Sequence, residues 1–134
     1  MILSEFTGKW VLNLFPPLLF NRIQVIKVEK GYKQVWVRIN KSLLNRNLNG
    51  TIFGGTIFSA ADPFYALMFW QIFARKGIKV QTWLKSAHID YKKPGATSLY
   101  LHFQLTENDL IDAENSLNEI GKFVRSYVIE IKNK

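Results

Sequence analysis

Apolar residues along this chain change their spacing several times, and each change marks an element. Leu3, Phe6, Trp10 and Leu14 recur every three to four residues and stop at Pro16-Pro17, which predicts a short amphipathic helix over 3–15 packing as a lid. Two β-branched and aromatic runs follow, 22–29 and 32–39, with Lys30-Gly31 between them as a tight-turn signal, so a hairpin is expected. In the second run Val35, Val37 and Ile39 share one face, expected to look inward, while Tyr32, Gln34, Trp36 and Arg38 share the other. After a polar loop over 40–54, a nearly unbroken apolar stretch predicts a long helix over 55–76, closed by Gly77 behind Arg75 and Lys76.

Three further strand-like runs are predicted. They cover 79–91, ending in the turn Lys92-Lys93-Pro94-Gly95; 97–105, where Leu99, Leu101, Phe103 and Leu105 alternate with Tyr100, His102 and Gln104; and 122–131. Between the last two, Leu110, Leu117 and Ile120 give a short acidic helix running from near Thr106 to Gly121. Strands segregated from one dominant apolar helix predict a single α+β domain over 1–134. Its curved antiparallel sheet would wrap a long central helix (55–76), with the N-terminal helix (1–17) packed on the sheet. Because that central helix is apolar on nearly every side, either strong sheet curvature or a second subunit must cover it, so a homo-oligomer, dimer or tetramer, is expected.

The 134 residues, 48% of them hydrophobic and 14% aromatic, suffice for one core built from large flat side chains. With no cysteine and two histidines, disulfides, thiolate nucleophiles and metal sites are not expected. Net charge is +8, and Glu107, Asp109, Asp112, Glu114 and Glu119 lie in one segment, so the remainder is more basic than the total. Such a field attracts phosphates without choosing among them; in the absence of any nucleic-acid motif, a nucleic-acid partner is not expected. The opening residues carry no basic n-region or cleavage signal, which points to the cytoplasm. The greasiest run, Ile57 to Phe73, is interrupted by Ser59, Asp62, Pro63 and Gln71 and is shorter than the ~20 residues a bilayer span needs.

Asp62 stands out inside that run. A carboxylate among apolar neighbours must be paired, neutral or poised for chemistry, because desolvating an unpaired charge is costly. Followed by Pro63, it also fits an ordinary helix restart with Asp as N-cap and Pro at N1. Gly54-Gly55, preceding an apolar helix, form an anion-accepting turn in which Gly54, Gly55 and Thr56 would present free N–H groups at the positive helix end. Asn47 fits an Asx-turn as well as a catalytic role. Lys92 and Lys93, at a turn, are placed either to solubilise it or to meet the phosphates of a ligand. Trp36, Trp70 and Trp83 fit a ligand pocket or core packing. Ser86, His88 and Asp90 share a strand face, but no nucleophile elbow accompanies them, and a triad is rejected.

The segment NLNGTIFGGTIFSAADP (47–63) resembles the helix-start signature of the hotdog-fold thioesterase superfamily. The stretches WVLNLFPP (10–17) and KSAHIDYKKPG (85–95) resemble an uncharacterised thioesterase-like family within it. The resemblance covers most of the chain, with 47–63 its specific part. It implies a hotdog fold and hydrolysis of an acyl thioester, usually acyl-coenzyme A, at a site shared between two protomers, with no cofactor beyond the coenzyme A of the substrate. It further implies Asp62 as general base or nucleophile, Asn47 beside the reacting carbonyl and water, and Gly55 with Gly54 and Thr56 as carbonyl-binding donors. Phe53 and Asn49, also at the substrate site, stand where better-understood relatives carry histidines. That departure supports an alternative: a non-catalytic hotdog module binding an acyl chain or nucleic acid.

Overall fold

The structure, a computed structural model, describes residues 1–133. Ser4 opens α1 (Glu5–Leu14), its hydroxyl accepting from the Thr7 N–H at 3.1 Å. The helix stops at Phe15 because Pro16 follows and disfavours helical backbone before it; Pro16 then starts α2 (Pro16–Phe20).

α1 lies against β1, but through a face other than its apolar stripe. Gly8 and Leu12 are its buried residues, whereas Phe6, Trp10 and Leu14 of the apolar stripe face outward. Polar tethers from distant elements explain why. The Asn13 side chain accepts from the Val25 N–H (2.7 Å) and donates to the Val25 carbonyl (3.2 Å), covering a strand edge. Buried Gln71 accepts from the Leu3 N–H and donates to the Met1 carbonyl, and Arg75 bonds the Leu3 carbonyl and the Glu5 carboxylate. Gly8 lies directly on Tyr32, where a Cβ would come within 2.0 Å of the phenol oxygen, so only glycine allows the approach.

The sheet has the order β1-β2-β3, all antiparallel, from β1 (Ile23–Val28), β2 (Gln34–Ile39) and β3 (Leu99–Gln104). Val35, Val37 and Ile39 pair with Phe103, Leu101 and Leu99, and this whole set is buried, as the period-two alternation predicts. A bulge falls between Val25 and Lys27 of β1. The hairpin connection is wider than Lys30-Gly31, running from Glu29 to Lys33 with both Gly31 and Tyr32 at positive φ (88° and 58°). That left-handed turn rotates Tyr32 off the polar face where alternation put it and buries it completely, its hydroxyl donating to the Ser4 carbonyl at 3.0 Å. Burial pushes the phenol pKa up, against the nearby Arg75 guanidinium.

The central helix is two helices, α3 (Gly54–Ala61) and α4 (Pro63–Arg75), broken at Asp62. Phe64 and Met68 are fully buried beneath the sheet, the Phe64 ring tilted against that of Phe103 at 5.0 Å between ring centres. Truncating Phe64 to Ala would cost about 3–5 kcal/mol. The acidic helix α5 (Glu107–Ile120) starts at a Thr106–Asp109 capping box and ends at Gly121 in the left-handed region.

Two expected strands are not strands. Residues 79–91 and 122–131 make no ladder, and just past the second segment a single bridge joins Lys132 to Tyr100. Tyr127, Ile129 and Ile131 still turn inward against the core, whereas Ile89 alone does so in the other segment. Alternation selects a face; a ladder also needs a neighbouring backbone in register, which local pattern does not specify. Among the described residues no helix is long and apolar enough to cross a membrane.

Candidate active site

The polar loop before α3 folds on its own side chains. Asn45, 2% exposed, accepts from the Ser42 N–H and donates to the carbonyls of Asn21 and Asn40. Asn47 accepts from the Asn49 and Thr51 N–H groups at 3.0 and 3.1 Å, and its amide donates to the Thr51 hydroxyl at 2.9 Å. Both of its polar atoms therefore hold an Asx-type turn rather than face a ligand, and Asn49 enters only through its backbone. Gly50 takes φ 76° at the turn's apex.

A second loop lies over this one. The Tyr91 hydroxyl donates to the Gly54 carbonyl at 3.0 Å, and the Ile52 N–H donates to the Gly95 carbonyl at 2.9 Å. Gly95 is buried so tightly that a Cβ would sit 3.2 Å from Ile52 and 3.1 Å from Leu99. Lys92 and Lys93, both exposed, are thereby anchored next to the start of α3.

At that start, the N–H groups of Thr56 and Ile57 both donate to the Phe53 carbonyl, and the Thr56 hydroxyl donates to the Asn21 side chain at 2.7 Å. Thr56, 1% exposed, is thus a packing residue and not the free donor expected of it. Gly54 and Gly55 have no hydrogen-bond partner for their N–H groups among the described residues, which leaves two donors at a positive helix end. The Phe53 ring lies against Gly55, where a Cβ would meet it at 2.5 Å.

Asp62 closes α3 and precedes Pro63, which has no N–H to return to the Ser59 carbonyl. Its backbone is helical (φ −69°, ψ −58°) and its side chain makes no cap bond, so it is not the N-cap that the Asp-Pro pair suggests. Exposed, and with no hydrogen-bond or ion-pair partner among the described residues, the carboxylate stands on the rim of an open groove of about 560 Å³. Leu12 of α1, Pro63, Leu67 and Trp70 of α4, and Trp83 and Leu84 line it. Trp70 and Trp83 are therefore groove residues. Trp36 instead stacks on His102 across the outer sheet face at 4.8 Å, with Lys27 above its ring.

An apolar trough with one carboxylate at its edge suits an amphiphile with a polar, reactive end. Seven residues separate Gly55 from Asp62, which is about 10 Å along a helix, so the free amides and the carboxylate of one chain do not converge on one atom. His88 and Asp90 lie 3.1 Å apart but are mostly exposed, a surface pair. No group of three or more potential ligands for a metal occurs among the described residues. Tyr91, Gly95 and Asn21, which secure the turn, escaped the sequence reading because their partners lie 35 or more residues away.

A family model described as "Domain of unknown function (DUF4442)" matches residues 5–132. The chain is similar in structure to a protein of unknown function from Chlorobaculum tepidum (TM-score 0.70, 15% identity, covering 89% of this chain and 75% of that one). It is similar to a Pseudomonas aeruginosa protein of unknown function described as a probable thioesterase (0.66, 14%, 89% and 77%). It is also similar to a candidate thioesterase from Shewanella oneidensis (0.57, 21%, 72% and 68%). No curated protein matches. At these identities the likeness is one of fold.

Proposed function

The chain belongs to the DUF4442 domain family and has the hotdog fold, and on that premise we propose that it is a cytoplasmic hydrolase of acyl thioesters, acyl-coenzyme A among them. The observation that carries the reading is the Asp62 carboxylate, unpartnered at the edge of an apolar groove. In the proposed reaction Asp62 takes a proton from water, whose oxygen attacks the thioester carbonyl carbon. The resulting oxyanion is held by the Gly54 and Gly55 N–H groups, the C–S bond breaks, and the thiolate leaves with the proton returned by Asp62. Because those amides and that carboxylate are about 10 Å apart along one helix, the reading requires two copies, each giving the glycine turn to the other's Asp62. Lys92 and Lys93, which follow Tyr91 on the loop bonded to Gly54, would meet the phosphates of coenzyme A in this reading.

Thiol release from a panel of acyl-coenzyme A substrates of differing chain length tests this with the purified chain. Turnover that Asp62→Asn and Asp62→Ala abolish supports the reading; silence across the panel overturns it. A second reading, a hotdog module that binds acyl chains without cleaving them, is favoured by Phe53 lying on Gly55 where a polar donor would assist the carbonyl. Saturable acyl-chain binding without turnover would select it.

A further inference from the structure

Neither the fold nor the proposed chemistry uses the outward face of the two N-terminal helices. Phe6, Trp10 and Leu14 follow one another at four-residue spacing along α1, the Phe6 and Trp10 rings meeting edge-on at 6.4 Å, and Phe15 and Phe20 carry the surface onto α2. Phe6 is 73% exposed, Leu14 63% and Phe20 66%. Contiguous apolar surface of this kind marks an interaction site. The helix is held from its other side by Asn13, Gln71, Arg75 and the Gly8–Tyr32 contact, so packing within the chain does not account for the stripe.

Charge selects the occupant. On α1 and α2 the one acid, Glu5, is tied to Arg75, while Lys9 on α1 and Arg22 just past the end of α2 remain positive. The whole chain carries +8, and half of its ten acids sit in α5. A second copy on this face would bring like charge to like charge, whereas an anionic lipid surface complements both the basic residues and the Trp and Phe side chains. We propose that the α1–α2 face docks on anionic membranes, with α1 lying in the headgroup plane. Leu12, on the opposite side of α1, lines the Asp62 groove, so docking would set that groove beside the bilayer. The proposal does not depend on hydrolysis.

Flotation of the full chain with phosphatidylcholine vesicles, with and without phosphatidylglycerol, tests it. Binding should require the anionic lipid and weaken with added salt. Replacing Phe6 and Leu14 together by Ser should lower the bound fraction about tenfold or more while leaving the melting temperature unchanged. The matched pair Ile111→Ser with Ile120→Ser, exposed apolar residues on the acidic helix, should leave binding intact. Absence of flotation, equal flotation of the Phe6/Leu14 variant, or equal loss in the α5 control would overturn the proposal. So would a wild-type dimer in sedimentation that the Phe6/Leu14 variant converts to monomer without any vesicle binding, which would assign the face to a second copy.

Discussion

The starts of α4 and α5 each carry an aspartate, and the two are used in opposite ways. Asp109 accepts from the Thr106 N–H and hydroxyl through one oxygen, at 2.8 and 2.9 Å, and from Arg125 through the other at 2.8 Å, while Arg125 also holds Asp112. Asp62 caps nothing and pairs with nothing among the described residues, yet it borders the groove. A helix start satisfied by its own side chains is finished structure; one that leaves a carboxylate unused has it available for a ligand. Replacing the two aspartates should therefore separate folding from chemistry.

The largest contrast is expected from Asp62→Asn beside Asp109→Asn. The first should lower turnover by about 10²–10⁴-fold. It should change stability by no more than about 0.5 kcal/mol, since no native bond is lost. The second should leave turnover near wild type and lower the melting temperature. If Asp62→Asn instead unfolds the protein while turnover per folded molecule survives, the two helix starts are alike and the contrast is broken.

Asn47 sharpens the comparison, because the resemblance implies a catalytic role for it and the structure gives it the same kind of self-satisfied bonding as Asp109. Asn47→Ala should cost about 1–3 kcal/mol, read by chemical denaturation, through the unpaired N–H groups of Asn49 and Thr51. A variant of unchanged stability and lost turnover would move Asn47 to the side of Asp62. Smaller again is Thr106→Ala, which removes one member of the capping box and should cost about 1 kcal/mol with no effect on the groove.

How far these assignments could be read from the sequence depends on how local their causes are. Val35, Val37 and Ile39 opposite Leu99, Leu101 and Phe103 were legible because strand period alone fixes the buried face. The start of α5 near Thr106 was legible because the cap and the helix it opens lie within one turn. The α1 stripe misled because a helix with two usable faces was seated by Gln71, Arg75, Val25 and Tyr32, none of which shows in its own period. Strand pattern over 79–91 found no partner edge for the same reason. Asp62 was singled out by composition, but the distinction between cap and free acid needed the backbone at Pro63.

The smallest effect follows from protonation of Asp109. Burial opposes its charge, but the Thr106 N–H, the Arg125 guanidinium and the Thr106 hydroxyl together outweigh that and hold the carboxyl below its ordinary value of 3.8. With the folded pKa depressed, the unfolded chain binds the proton more readily at any pH between the two values. The stabilisation is therefore complete above the unfolded value and is lost as pH falls through the folded one. Asp109→Asn, which cannot take part in this titration, should lie below wild type in melting temperature by a constant margin above about pH 5, and the margin should shrink as the pH drops below about 4. A gap that persists undiminished into acid would mean that the asparagine amide, not the missing charge, disrupts the box. The start of α5 would then owe its stability to geometry rather than to the ion pair with Arg125.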